Sequence, residues 1–266
     1  MNVEFRPSSS LSLGERAKLF TSGYEGYLLP FRIDEPTLAS MEQAFDLDVD
    51  ASRIALRDGA PVGLGNLGVR TEDAWIGGVG VVPGARRSGV GEAIMRALHE
   101  QARERGVKRI WLEVIDRNVG AFALYEKLGY RTVRDVEVWS LPHVEGGESA
   151  ARDVPAAEVQ GRIRELSAQR EPWQRADETV ANYGDALGFS TDDCAALYRQ
   201  PGEHVQLLQL VGEAEPLLRS LQALGPISLL NLPTDDPAAS ALRSLGANVV
   251  VRQHEMLLDL EPTSRH

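Results

Sequence analysis

The densest run of chemistry-bearing residues is Val79-Gly80-Val81-Val82-Pro83-Gly84-Ala85-Arg86-Arg87-Ser88-Gly89-Val90-Gly91. A β-rich stretch ends in a turn, two arginines follow, and Gly89-Val90-Gly91 opens a segment with helical periodicity. The first amides of a helix lack internal acceptors and carry the positive end of its dipole. Glycine at 89 and 91 removes side chains that would hold a ligand away from those amides. Arg86 and Arg87 add positive charge. Such a junction suits an anion, a pyrophosphate above all. It is not a P-loop, because no Lys-Ser/Thr follows the last glycine. A second pattern, Gly63-Leu64-Gly65-Asn66-Leu67-Gly68, matches G-x-G-x-x-G. No helical period follows it, so it reads as a strand that is bulged or closely approached, not as a dinucleotide site. A single cysteine, Cys194, and five histidines without metal-ligand spacing give no expectation of a bound metal.

The flanking sequence must build a strand before this junction and a helix after it. A short strand is expected near Val3–Arg6, then a helical region over Leu13–Ala44 broken by Pro30 and Pro36. Strands follow over Ser52–Arg57, Val62–Val69 and Ala74–Val82, with Asp58-Gly59 as a hairpin turn. Ile94, Ala97, Leu98 and Ala102 recur at helical spacing and predict a helix over Val90–Arg105, stopped by Gly106. Arg109–Ile115 is a strand, Asn118–Leu128 a helix, and Tyr130–Leu141 one or two strands. The second half repeats the end of this order: strand His204–Val211, helix Glu213–Leu224, strand Ile227–Leu232, helix Pro237–Leu245, strand Val249–Leu260. Leu124–Tyr130 lies over Ala241–Ala247, which points to a duplicated fold. His143–Asp153, with Gly-Gly and acids, reads as the joint. The expected division is residues 1–145 and 150–266.

The chain has 266 residues, 43% hydrophobic and 25% charged, which fits globular domains. Its longest nearly uncharged apolar run, Trp75–Val82, is far short of the roughly 20 residues of a membrane span. The first residues lack the apolar core of a signal peptide, so a cytoplasmic location without membrane contact is expected. The net charge is −11, of which −9 falls on residues 144–266. That surface repels phosphate backbones and speaks against a nucleic-acid partner.

Arg86-x-x-Gly89-x-Gly91 at a strand-to-helix junction resembles the acetyl-CoA motif of the GCN5-related N-acetyltransferase (GNAT) superfamily. Downstream, Leu112-Glu113-Val114-Ile115-Asp116-Arg117-Asn118 and Ala121-Phe122-Ala123-Leu124-Tyr125-Glu126-Lys127-Leu128-Gly129-Tyr130 closely resemble its second signature. The likeness covers residues 50–141 well and is nearest to ribosomal-protein N-terminal alanine acetyltransferases. It implies an α/β fold with a mixed, splayed central sheet flanked by helices, present here in tandem with the second copy degenerate. It also implies acetyl-CoA as co-substrate, its arm along Val79, Gly80 and Val81 as an added strand. The pyrophosphate would meet Arg86, Arg87 and the amides of Ser88, Gly89, Val90, Gly91 and Glu92, and the inner arm would meet Asn118. From Glu92 only the amide is expected, since a carboxylate beside a pyrophosphate is unfavourable. Glu113 and Tyr125 match the family's general base and general acid, which acetyl transfer to an ammonium requires.

The resemblance therefore implies transfer of acetyl to a primary amine of a small molecule or peptide. Six acids between Asp34 and Ser52, with no Lys or Arg among them, would favour a cationic acceptor; Tyr24, Tyr27 and Phe31 would form apolar walls. The second copy has Glu213, Glu215 and Pro216 where a pyrophosphate would sit, and Leu242 in the place of Tyr125. Two other classes remain open at this point: an acyl-CoA-binding sensor without turnover, and an interaction protein.

Overall fold

The computed structural model describes residues 3–28, 32–145, 152–167 and 169–260. The chain divides into two units, residues 1–133 with 256–266, and residues 134–255.

In unit 1, β1 (Glu4–Pro7) precedes α1 (Leu13–Gly23), which starts with a reciprocal cap between Ser12 and Glu15. α2 (Glu35–Ala44) is capped by the Asp34 carboxylate on Thr37 N–H. Pro36 stands in its first turn, where the missing N–H has no helical partner to lose, so it begins a helix instead of breaking one. β2 (Arg53–Arg57), β3 (Ala60–Arg70) and β4 (Asp73–Val81) follow, then α3 (Val90–Glu104), β5 (Arg109–Ile115) and α4 (Val119–Lys127). The strands lie in the order β1-β2-β3-β4-β5, antiparallel except for the β4/β5 pair. A parallel pair needs a crossover, and α3 supplies it. Its buried face, Ile94, Met95, Leu98 and Ala102, lies on β3. A Cβ on Gly65 would fall 2.6 Å from Ile94 Cγ2 and 2.7 Å from Leu98 Cδ1. The G-x-G-x-x-G pattern is thus strand throughout, its first two glycines admitting a helix and not a ligand.

β4 is irregular in two ways. Asp73–Trp75 pair with Arg109–Trp111 of β5, and beyond them the ladder pairs of β4 are with β3 alone, so the parallel strands part. Gly77 is an extra residue on β4, since Asn66 faces Gly78 and Leu67 faces Ile76; the bulge bends the strand at that point.

β6 (Arg131–Leu141) runs across the division at 133/134. Unit 2 continues with β7 (Arg152–Val154), α5 (Ala156–Leu166), α6 (Asp177–Tyr183), β8 (Leu187–Ser190) and β9 (Cys194–Arg199). Then come β10 (Val205–Gly212), α7 (Ala214–Gln222), β11 (Ile227–Pro233), α8 (Ala238–Ser244) and β12 (Asn248–Asp259). The strand order is β6-β11-β10-β9-β8-β7, with β10/β11 the parallel pair. That pair too is joined over three residues only, Val205–Leu207 with Ile227–Leu229. The succession β4-α3-β5-α4 of unit 1 recurs as β10-α7-β11-α8. Even the helix ends agree: Gly129 and Tyr130 N–H donate to Glu126 O and Tyr125 O (2.9 and 3.0 Å), and Gly246 and Ala247 N–H to Arg243 O and Leu242 O (3.1 and 2.9 Å).

The units do not divide where the sequence placed the joint. Residues 146–151 of that joint lie outside the described residues. The end of the chain belongs to unit 1, because Met256 and Leu260 are buried with Ile110 and Leu112, and Leu260 N–H donates to Lys108 O at 2.7 Å. Among the described residues, no helix is long and apolar enough to cross a membrane.

Candidate active site

Gly89 is the N-cap of α3, with φ +81°. A Cβ there would meet nothing within 4 Å, and one on Gly91 would come no closer than 3.9 Å to Val81 Cγ2. The helix's first bond runs from Ala93 N–H to Gly89 O (3.0 Å), which leaves the amides before it outside the helical ladder. Arg87, also left-handed (φ +57°), is exposed and makes no ion pair among the described residues. Left-handed residues in such a turn converge successive N–H groups into an anion-binding concavity. The Val90 side chain is buried, so only its amide faces this space. Ser88 Oγ donates to Ala85 O (2.6 Å) and accepts from Arg57 Nη2 (2.7 Å), a tie from β2 that the sequence did not reveal. The Glu92 carboxylate is turned onto Arg96 (2.9 Å) and Lys127 (2.6 Å); hydrogen bonds from Lys127, then Arg96, hold its pKa below the usual range.

Arg86 departs from expectation. Its Nε donates to Val81 O (2.9 Å), and Nη2 to the carbonyls of Gly23 (3.1 Å) and Glu25. It ties the C-terminal end of α1 to the end of β4, a favourable place for a cation, and is not spare charge for an anion.

Where β4 and β5 part, Trp75 Nε1–H donates to Glu113 Oε2 at 2.8 Å. The carboxylate is thereby fixed two residues past the last parallel pair. A different group forms from α1 and α4. Asn118 caps α4 by accepting from Ala121 N–H (3.2 Å), and its Nδ2 donates to Tyr27 Oη (3.0 Å). Tyr24 crosses the Tyr27 ring edge-on at 5.1 Å and stacks on Phe20 at 4.9 Å. Burial, then the neighbouring Tyr27, pushes the half-buried Tyr125 phenol well above the usual tyrosine range. Burial, then Tyr125 and Tyr27, does the same for Tyr24. Tyr24, Tyr27, Tyr125 and Asn118 are therefore one cluster, whereas Glu113 is held by Trp75. Val79, Gly80 and Val81 pair with Gly65, Leu64 and Gly63 of β3 on one edge. Phe31 lies outside the described residues.

Three of the six acids in the acid-rich segment are neutralised within unit 1. Glu42 pairs with Arg16 (2.9 Å), Asp46 with Arg70 (2.6 Å) and Asp48 with Arg105 (2.7 Å), and Asp34 caps α2. Asp34, Glu35 and Asp50 make no ion pair among the described residues, so half of the expected acidic field remains.

Residues 21–130 match the Acetyltransferase (GNAT) family. This part of the chain is a GNAT domain. It is 39% identical over 59 residues to the ribosomal protein bS18 alanine N-acetyltransferase of Escherichia coli, a stretch covering 22% of this chain and 40% of that protein. It is 34% identical over 84 residues to the streptothricin acetyltransferase of Streptomyces lavendulae, covering 30% of this chain and 44% of that protein. The chain thus spans less than half the length of these relatives. Over 98% of its length it superposes on a GCN5-related N-acetyltransferase of Sphaerobacter thermophilus, with TM-score 0.74, 15% identity and 96% of that chain covered. A tandem GNAT protein from the clavulanic acid biosynthesis pathway is matched over 99% of this chain and 100% of that one, with TM-score 0.68 and 16% identity. The fold is therefore a tandem GNAT fold.

In the second copy, the junction equivalent to Gly89 has Glu213 as N-cap of α7, and Glu215 pairs with Arg219 (2.7 Å). A cavity of about 510 Å³ lies at the ends of β10 and β11, with Asp193, Asp235 and Asp236 on its wall beside Arg134 and Arg170, which both pair with Glu255. Leu242, in the place of Tyr125, is fully buried in the unit's own core. What sequence reading of the GNAT domain missed was Trp75, Arg57 and the Gly77 bulge. Trp75 had a usable signal, since it and Trp111 sit on the two strands that part.

Proposed function

We propose that unit 1 transfers an acetyl group from acetyl-CoA to a primary amine of a small molecule or peptide. One conjunction carries this reading: an open helix N-terminus at Gly89–Gly91 at the end of a strand that parts from its parallel neighbour, with Glu113 at the parting. The named activities of the relatives support it. The residues fit acetyl-CoA: amides from Arg87 to Glu92 and the Arg87 charge take a pyrophosphate, β4 offers Val79–Val81 to an extended arm, and Asn118 and Tyr125 flank its inner end.

The acceptor ammonium, with pKa about 10 if lysine-like, must lose a proton before attack. Glu113 accepts that proton, directly or through water. The nitrogen bonds to the thioester carbon, the C–S bond breaks, Tyr125 O–H gives its proton to the sulfur, and the second proton that the nitrogen sheds in becoming an amide restores the Tyr125 hydroxyl through water. A phenol kept protonated by burial is suited to that step. Holding amine and thioester together supplies a further large part of the rate.

The test is release of CoA thiol across a panel of peptides, polyamines, aminoglycosides and amino acids. Turnover above the blank with at least one amine is expected. Tight acetyl-CoA binding with no release on any amine would make unit 1 a sensor.

A further inference from the structure

A third tyrosine stands where acetyl transfer needs a hydrogen-bond donor. α1 approaches β4 so closely that a Cβ on Gly23 would lie 2.8 Å from Gly80 Cα. That approach delivers Tyr24, the next residue, onto the bulged part of β4. Its hydroxyl accepts a hydrogen bond from Val79 N–H. Gly78 leaves it room, since a Cβ there would fall 2.7 Å from the phenol oxygen, and one on Gly80 would fall 3.3 Å from the ring. A pyrophosphate at Gly89–Gly91 lies beyond the C-terminal end of β4. An arm laid along Val81 and Gly80 therefore runs back toward Val79 and Gly78, and its thioester arrives beside the Tyr24 hydroxyl that holds Val79 N–H. As an amine attacks, the carbonyl oxygen gathers negative charge, and preorganised donors at that oxygen commonly contribute more to acyl transfer than any other single effect. A phenol that accepts from a backbone N–H is polarised toward donating its own hydrogen.

We propose that Tyr24 donates a hydrogen bond to the acyl oxygen of the thioester and so reads the acetyl group, while Tyr125 protonates the sulfur. This rests on the acetyl-CoA reading of unit 1. No proton leaves Tyr24. The N–C bond forms as the carbonyl π pair moves onto oxygen; that pair returns as the C–S bond breaks, the sulfur takes its proton from Tyr125, and the proton leaving the new amide nitrogen restores Tyr125 through water.

The test uses the full chain and Tyr24→Phe, which keeps the ring on Phe20. Calorimetry gives Kd for acetyl-CoA, for CoA and for S-ethyl-CoA, in which a methylene replaces the carbonyl. Wild type is expected to bind acetyl-CoA about fivefold tighter than the other two, and Tyr24→Phe to lose that preference with CoA affinity unchanged. With an acceptor from the panel, kcat falls about 10²-fold and the acceptor KM stays within about twofold. Equal wild-type affinities for acetyl-CoA and S-ethyl-CoA would overturn the proposal without any variant. So would an unaltered preference in folded Tyr24→Phe, or a change confined to acceptor KM, which would make Tyr24 an acceptor wall. A wild type that binds none of the three overturns the acetyl-CoA reading itself, and this proposal with it.

Discussion

The two strand-to-helix junctions, β4 to α3 and β10 to α7, share a topology and differ in what stands at the helix start. At the first, a side chain on Gly89 would enter open space. At the second, the glycine that ends β10, Gly212, is closed in by the Asp193 carbonyl oxygen, and Glu213 caps the helix. The second is also acidic where an anion would need amides and cations, and Pro216 removes an N–H from the first turn. Duplication of a fold preserves what the core requires. Leu217, Leu221, Leu229 and Leu242 still bury fully, while the residues that contact a ligand are free to drift. A fold copy is therefore poor grounds for assigning a second site, and the junction residues give the expectation of none.

Ways to break this contrast run from large to small. Gly91→Asp puts a carboxylate into the open space of the first junction, so acetyl-CoA affinity should fall more than about 100-fold, roughly 3 kcal/mol. Glu215→Gln at the second should leave it unchanged, as calorimetry on both variants would register. Tyr125→Phe should lower kcat about 100-fold with acetyl-CoA affinity intact. Leu242→Ala, its counterpart, should cost about 2–5 kcal/mol of stability and leave kcat of the folded enzyme alone. Because burial raises the Tyr125 phenol above its ordinary range, kcat/KM should climb with pH as the acceptor amine deprotonates, with no falling limb near pH 10. Glu113→Gln keeps an acceptor for Trp75 and should cost about tenfold in kcat/KM at pH 7 and less at pH 9, where free amine needs no base.

A separate effect concerns stability. His99 is buried against Tyr130, Nε2 to Oη 2.8 Å, and burial, then Arg103 and Arg96, lowers its pKa from 6.5 to about 4. Between those values the unfolded chain binds a proton that the folded chain refuses. Stability is complete above pH 6.5 and falls on acidification, by up to about 3 kcal/mol near pH 4. Among its described residues unit 2 has no fully buried histidine, so this loss should belong to unit 1. Urea unfolding of wild type and His99→Gln at pH 7 and 4.5 should show the steeper loss in wild type.

The sequence made the β4–α3 junction legible because its chemistry is local: glycines, arginines and a helical period within a dozen residues. The repeat in unit 2 was legible for the same reason, through its helix–glycine–strand ends. What escaped was set by distant partners. Arg86 is claimed by carbonyls of Gly23 and Glu25, more than sixty residues earlier. Three of the six acids near 34–52 are claimed by Arg16, Arg70 and Arg105, each from elsewhere in the chain. No element between the joint and His204 is read from the sequence: β7, β8 and α6, of 3, 4 and 7 residues, carry little period, and α5 and β9 go unread beside them. The end of β12 reads as a continuous strand, and nothing local tells that Met256 and Leu260 pack in unit 1.

Stoichiometry tests the contrast between the two copies most directly. Calorimetric titration of the intact chain with acetyl-CoA should saturate at one equivalent, and Gly91→Asp should abolish that event without exposing another. Saturation at two equivalents, or one equivalent surviving undiminished in folded Gly91→Asp, would contradict the assignment of the site to the β4–α3 junction.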